Sequence, residues 1–200
     1  MALAALILYL VFGALGFCWR SWTQYRHTGS TGFRGIHGNP GSLEWCAGAG
    51  FIAAIVVGVA APALQLLGLL APVAALHTPW LQGLGTALAV AGIAATLYAQ
   101  RDMGESWRIG VDPGETTTLV RHGVFGVVRN PIFTAMLIFA AGVALMTPNP
   151  LALAGFAVLL ATIELQVRVV EEPYLLHTHG QTYRDYRASV GRFVPGIGRN

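Results

Sequence analysis

Two polar clusters interrupt a chain that is otherwise apolar. Glu164, Arg168, Glu171 and Glu172 are spaced i, i+4, i+7 and i+8, which puts them on one face of a helix. Three carboxylates against one arginine leave negative charge over, and that surplus suits a cationic ligand. Ionisable residues at membrane depth cost roughly 2.5–3.5 kcal/mol each on insertion scales, so they face the protein interior, a partner or water. The competing reading is a set of i, i+4 ion pairs where a helix leaves the membrane. The second cluster runs from Leu119 to Pro131. Gly123 and Gly126 let backbone approach a ligand. His122, Arg129 and Asn130 offer donors and acceptors, and Phe125 an aromatic face. Read alone, this stretch is equally a loop entering a proline-started helix. His177 and His179 are two apart and His122 is remote, so no third ligand stands at metal spacing and no metal site is expected.

Apolar segments must position both clusters. The chain of 200 residues is 54% apolar and 10% charged. Soluble domains carry about 25% charged residues, so the composition predicts a membrane protein. The net charge of +3 comes from arginine alone, because there is no lysine. That excludes a nucleic-acid-binding reading, which needs a basic patch on a soluble face. The absence of lysine points to a GC-rich, bacterial source. Cys18 and Cys46 stand in no metal or framework spacing and read as reduced packing thiols.

Ala2 to Trp19 is uncharged and reads as a first span; no positive residue precedes it, which argues against a signal peptide. Arg20 to Asn39 reads as a solvated connector. Trp45 to Gln100 contains no Asp, Glu, Lys or Arg, enough for two spans of roughly 20 residues, broken near Pro72 to Pro79. Pro62 should kink the second span. In the third, Trp80 to Arg101, the small residues Gly83, Gly85, Ala87, Ala91 and Gly92 allow close helix approach. A polar loop, Arg101 to Asn130, leads to Pro131 and a fourth span. Thr147-Pro-Asn-Pro150 breaks it, and a fifth runs from Leu151 to about Leu176 before a polar, aromatic tail. The arginines gather in the loops after the first and third spans and in the tail. The positive-inside rule then puts the N-terminus outside and the C-terminus, with both clusters, in the cytoplasm. The expectation is an all-α membrane protein of about five transmembrane helices. Its cytoplasmic pocket is formed by the loop between helices 3 and 4, the end of helix 5 and the tail. Residues 1–103 would be the N-terminal helices and 104–200 the catalytic region.

The stretch Leu119-Val-x-x-Gly-Val-Phe-x-x-x-Arg-Asn-Pro-Ile-Phe133 resembles the Gly-x-Tyr…Arg-His-Pro-x-Tyr motif of the isoprenylcysteine carboxyl methyltransferase family. Arg168-x-x-Glu171-Glu172, Gly180-x-x-Tyr183-x-x-Tyr186 and Arg192-Phe-Val-Pro195 resemble its C-terminal signature. The likeness covers roughly residues 108–195. It implies S-adenosylmethionine bound at the cytoplasmic membrane surface. Thr117, Thr118, Leu119, Val120 and Gly123 would touch the cofactor through backbone in a strand-like segment. Phe125, Asn130 and Pro131 would line its pocket with His122, and Glu171 would hold its amino group. Arg168 would orient an anionic acceptor, Arg129 and Glu172 complete the candidate catalytic set, and the tail would close as a lid. Asn130 replaces the family's histidine, and Phe125 and Phe133 replace tyrosines. Asn130 cannot titrate near neutrality, so no mechanism uses it as a base.

A membrane methyltransferase acting on a lipophilic or prenylated acceptor, with membrane lipids around it, is the function this resemblance implies. A carboxylate acceptor would need no base; an amine would need Glu172 or His122. A phospholipid N-methyltransferase, an NADPH-dependent sterol-type reductase and a non-catalytic membrane scaffold are the alternatives.

Overall fold

The computed structural model describes residues 1–33, 35, 36, 38–108 and 118–199; Thr117 lies outside them. Five helices carry the architecture: α1 (Ala2–Thr28), α2 (Leu43–Leu66), α3 (Pro79–Met103), α4 (Pro131–Met146) and α5 (Pro150–Ser189). Four are long and apolar enough to cross a membrane, and α4 is shorter. Leu3, Ile7, Leu10, Ile52, Val56, Leu84 and Val90 lie on exposed faces, as a lipid-facing surface requires.

Two helices run past the limits that polarity alone sets. The first continues from Trp19 to Thr28, so the start of the expected connector is helical, and it stops at Gly29 with φ 72°. Tertiary contacts hold this extension. Arg20 donates to Gly104 O and stacks over Trp107, 4.9 Å from the ring centroid. Gln24 Nε2 donates to Glu105 O at 2.7 Å. The last helix continues beyond Leu176 to Ser189, with non-helical backbone at Gly180 (φ 52°). Each of these helices contains a π-helical turn, Ala14–Trp19 in α1 and Gln166–Glu171 in α5. π-turns of this kind concentrate at functional sites. Between α2 and α3 the chain turns through Ala74–Leu76, and Pro79 opens α3.

The closest helix packing is between α3 and α4, along one seam. A Cβ on Gly85 would lie 2.6 Å from Gly142 O, one on Gly92 2.5 Å from Phe139 N, and one on Gly142 2.5 Å from Ala89 N. Gly85, Ala89, Gly92 and Thr96 are buried on this face. Gly83, Ala87 and Ala91 are exposed on the other side of the helix, so two of the five predicted small residues make the approach. Van der Waals contact between small residues replaces the hydrophobic effect that lipid cannot supply.

About half of α4 is buried, which explains how so short a helix is tolerated. Sixteen residues rise only ~24 Å, less than the ~30 Å hydrocarbon core. The turn after it is enclosed by protein. Thr147 and Asn149 are fully buried. Asn149 caps α5 by accepting from Ala152 N at 2.9 Å and donates to Ala61 O at 3.1 Å and Gln65 Oε1 at 2.9 Å. Val73 N donates to Pro148 O at 2.7 Å. Irregular backbone survives at membrane depth where protein satisfies it in this way. The expected kink at Pro62 does not end the helix: α2 continues through this buried residue, which adjoins Ala61 O in that network.

Phe12 of α1 stacks on Phe139 of α4 with centroids 4.2 Å apart. Both belong to one core with Ala5, Ala89, Met136, Val143 and Met146, so segments on either side of residue 103 share a core. Cys18 and Cys46 are free thiols.

Gly92→Ala and Gly142→Ala should each lower stability by about 1–3 kcal/mol, the usual penalty for overpacking. Gly83, with open space at its Cβ position, is the control: Gly83→Ala should leave the melting temperature in detergent unchanged or raised. Equal behaviour of the three variants would contradict the seam.

Candidate functional site

Gly123 opens a short turn, Gly123–Gly126, with φ 56°. A side chain there would collide with the Asp102 carboxylate, so glycine is required twice over. Asp102 accepts from Val124 N at 3.0 Å, pinning the turn to the end of α3. From the other side Tyr186 Oη donates to Phe125 O at 2.6 Å. The segment beyond the turn is zipped to the tail. A parallel bridge joins Val128 to Gly191, Arg129 N donates to Gly191 O at 2.8 Å, and both the backbone N–H and side-chain amide of Asn130 donate to Arg192 O at 3.1 Å. Thr134 Oγ1 lies 2.9 Å from Phe193 O.

Glu172 locks this assembly. Its Oε1 lies 2.9 Å from Arg129 Nη2 and 2.7 Å from Arg192 Nε, and its Oε2 accepts from Arg192 Nη2 at 3.0 Å. The carboxylate holds the Arg192 pKa above its ordinary value. Arg129 also donates to Arg187 O at 2.8 Å, Val190 O at 2.6 Å and Gly198 O at 3.1 Å.

In front of this block lies a cavity of about 220 Å³, room for several waters at ~30 Å³ each or for part of a ligand. Its polar end is lined by Thr118, Leu119, Val120, Phe125, Arg129, Asn130 and Pro131, and by Gln166, Glu171 and Tyr174 of α5. Its apolar end reaches Phe12, Phe17, Phe51 and Met136. Phe33, Gly35 and Ile36 also line it, so the connector after α1 is a wall. Residues 118–120 carry no strand, and the tail braces the Leu119–Pro131 stretch from behind; among the described residues the lining stops at Leu175. His122 lines a second, more open recess with Arg121, Asp185 and Tyr186. Gly123 acts through the turn it permits.

The four-residue face on α5 is split. Glu164 and Arg168 pair with one another, Arg168 being 56% exposed, and Arg168 is not among the lining residues. Glu171 turns to the cavity and Glu172 to the arginine clamp. The π-turn between residues 166 and 171 is the reason: its wider turn changes the angular step that α-helical spacing assumes. The predicted surplus of acid is also gone, because Arg129 and Arg192 arrive from other elements. Arg108 lies within electrostatic reach of Glu171 and stacks 4.9 Å over Tyr174. Sequence reasoning missed Glu44, Asp102, Arg108 and Gln166; only Asp102, a charge at the end of an apolar span, carried a usable signal.

The charges of the cavity wall among the described residues are Glu44, Glu171, Arg108 and Arg129, two of each sign. A profile described as phospholipid methyltransferase matches residues 80–182, just over half of the chain. The chain belongs to that family. It is an all-α, multi-pass membrane protein. Protein-S-isoprenylcysteine O-methyltransferase A of Arabidopsis thaliana is 30% identical over 120 residues, covering 59% of this chain and 61% of the relative. Protein-S-isoprenylcysteine O-methyltransferase of Tribolium castaneum is 26% identical over 121 residues, covering 59% and 43%. The chain thus spans less than two thirds of the length of these relatives. The fold is similar to that of a eukaryotic intramembrane Ras methyltransferase, isoprenylcysteine carboxyl methyltransferase, with TM-score 0.60, 22% identity, 95% of this chain and 66% of the other.

Glu172→Gln should destabilise the protein by about 3–5 kcal/mol, because two buried guanidiniums lose their counter-ion. Hydrogen exchange across residues 181–199 should rise with it. Glu164→Gln, at an exposed pair, should cost less than ~1 kcal/mol; a larger effect there than at Glu172 would refute the clamp.

Proposed function

We propose that the chain is an S-adenosylmethionine-dependent O-methyltransferase whose acceptor is a lipophilic carboxylate such as an isoprenoid or prenylcysteine acid. The balanced wall of Glu44, Glu171, Arg108 and Arg129 carries this reading, because it suits the zwitterionic amino-acid end of that cofactor. Arg108 Nη1 and Arg129 Nε are buried donors without a partner among the described residues, and an anionic group would satisfy them. Glu171 would accept from the ammonium, and Arg108 would bind the cofactor's carboxylate. Thr118, Leu119 and Val120 would line the nucleoside, with Phe125, Asn130 and Pro131 behind them; Thr117 is retained in that set on the resemblance alone. When bound, the cofactor would supply a methyl group on a cationic sulfonium, whose sulfur leaves as a neutral thioether.

The residues of the chain then have alignment as their main task. Arg129 would orient the acceptor carboxylate through Nε, the role that the resemblance gives to Arg168. A carboxylate is already ionised at neutral pH and needs no base. An amine acceptor would need one, and both candidates are otherwise engaged. Glu172 is held by two arginines and His122 lines the other recess. This favours O-methylation over the N-methylation that the family profile also allows. Asn130, in the place of the family's histidine, braces the tail through Arg192 O. The catalytic elements concentrate in residues 104–200, and α1 and α2 would complete the acceptor side. The arginine-rich loops and the site would face the cytoplasm, with the N-terminus outside.

Calorimetric titration of the detergent-purified chain should show saturable binding of S-adenosylmethionine and S-adenosylhomocysteine and none of NADPH. Glu171→Gln should weaken both ligands by about 1.5–3 kcal/mol, the range for a hydrogen bond to a charged group, while Arg168→Ala leaves them unchanged. NADPH binding alone would move the chain to the reductases.

A further inference from the structure

The apolar end of the cavity holds two polar atoms that no described residue satisfies. Thr96 and Gln100 stand one turn apart on α3 and both line the cavity. They are 1% and 3% exposed. Thr96 Oγ1 and Gln100 Oε1 have no hydrogen-bond partner among the described residues. Elsewhere in this protein three helical threonines, Thr86, Thr134 and Thr162, bond back to the carbonyl four residues earlier at 2.9–3.0 Å. Thr96 does not. The Gln100 amide is fixed in orientation, because Nε2 donates to Gly16 O at 2.8 Å beside the π-turn of α1. Its oxygen is therefore turned away from that bond. Phe12, Phe17, Phe51 and Met136 form the surrounding wall, and the four charged lining residues come from other elements. A hydrocarbon would leave both atoms unsatisfied.

We propose that Thr96 and Gln100 recognise a neutral hydrogen-bonding group, an alcohol or an amide, carried on the lipophilic acceptor, and so determine its specificity. The ligand group donates to Gln100 Oε1 and accepts from the Thr96 hydroxyl. This inference rests on the reading of the cavity as an acceptor site. The adenine edge of a cofactor offers the same donor and acceptor pair. Depth favours the acceptor: Asp102 anchors the Gly123 turn, and Thr96 lies six residues, ~9 Å along the helix, further in.

The test measures affinities of the detergent-purified full chain for farnesol, its methyl ether and the parent hydrocarbon, read by tryptophan fluorescence, without cofactor. Trp107 lines the cavity and reports occupancy. The wild type should prefer farnesol to the hydrocarbon by roughly tenfold, the scale of a net hydrogen bond, with the ether between them. Thr96→Val keeps the shape and should remove most of that preference without changing hydrocarbon affinity; Thr96→Ser should restore it. Equal affinities in the wild type would mean that water serves the two atoms, and the proposal would fall. It would also fall if Thr96→Val weakened S-adenosylhomocysteine binding and spared farnesol. An intact farnesol preference in protein that binds no S-adenosylhomocysteine would sustain this inference while removing the cofactor reading.

Discussion

Glu172 between Arg129 and Arg192 is the interaction on which the site depends. One carboxylate joins α5, the segment entering α4 and the tail, three pieces of chain that sequence separates widely. Two guanidiniums and one carboxylate leave a positive excess in a buried place. Arg129 disperses its share through three backbone carbonyls, which is how a buried ion becomes tolerable. Geometry, more than net stability, is the gain from such a cluster. Once Arg129 is fixed, Asn130 and Pro131 are fixed too, and with them the direction in which α4 starts. The cavity's polar wall is the front surface of this block.

The opposite end of the bundle solves a different problem with neutral groups. No water at membrane depth can satisfy a turn, so Asn149 does it, capping α5 while bonding to α2. The glycine seam then draws α4 against α3 closely enough to bury about half of a 16-residue helix. Both devices depend on small or amide side chains and leave no charge in the bundle centre. The two π-turns stand at the other end and bring Gly16, Phe17, Gln166 and Glu171 to the cavity.

The spans were legible in the sequence because apolar runs bounded by proline and charge leave little choice. The break before Pro79, the Pro131 start and the turn after Thr147 could all be read. Polarity misled where tertiary bonds extend a helix, as at Arg20 and Gln24. Spacing misled where a π-turn changes the angular step, which separates Arg168 from Glu171. The stretch from Thr118 to Pro131 stood out as a group through the family resemblance, and most of its predicted site residues line one cavity. Their partners were not, because Arg192, Asp102 and Tyr186 meet the loop only after the chain has folded back.

The charge balance of the wall shows why local counting is a poor guide to ligand sign. On the stretch of α5 from Glu164 to Glu172 the tally is three acids and one arginine, which reads as a site for a cation. In three dimensions Glu164 is paired outside, Glu172 is neutralised behind the wall, and Glu171 shares the cavity with Arg108 and Arg129. A ligand that is only cationic would satisfy Glu171 and leave the open guanidinium N–H groups without partners. One that is only anionic would do the reverse. A zwitterion beside a lipophilic acid meets all of these demands at once, and that argument depends on where the arginines come from rather than on how many the sequence contains.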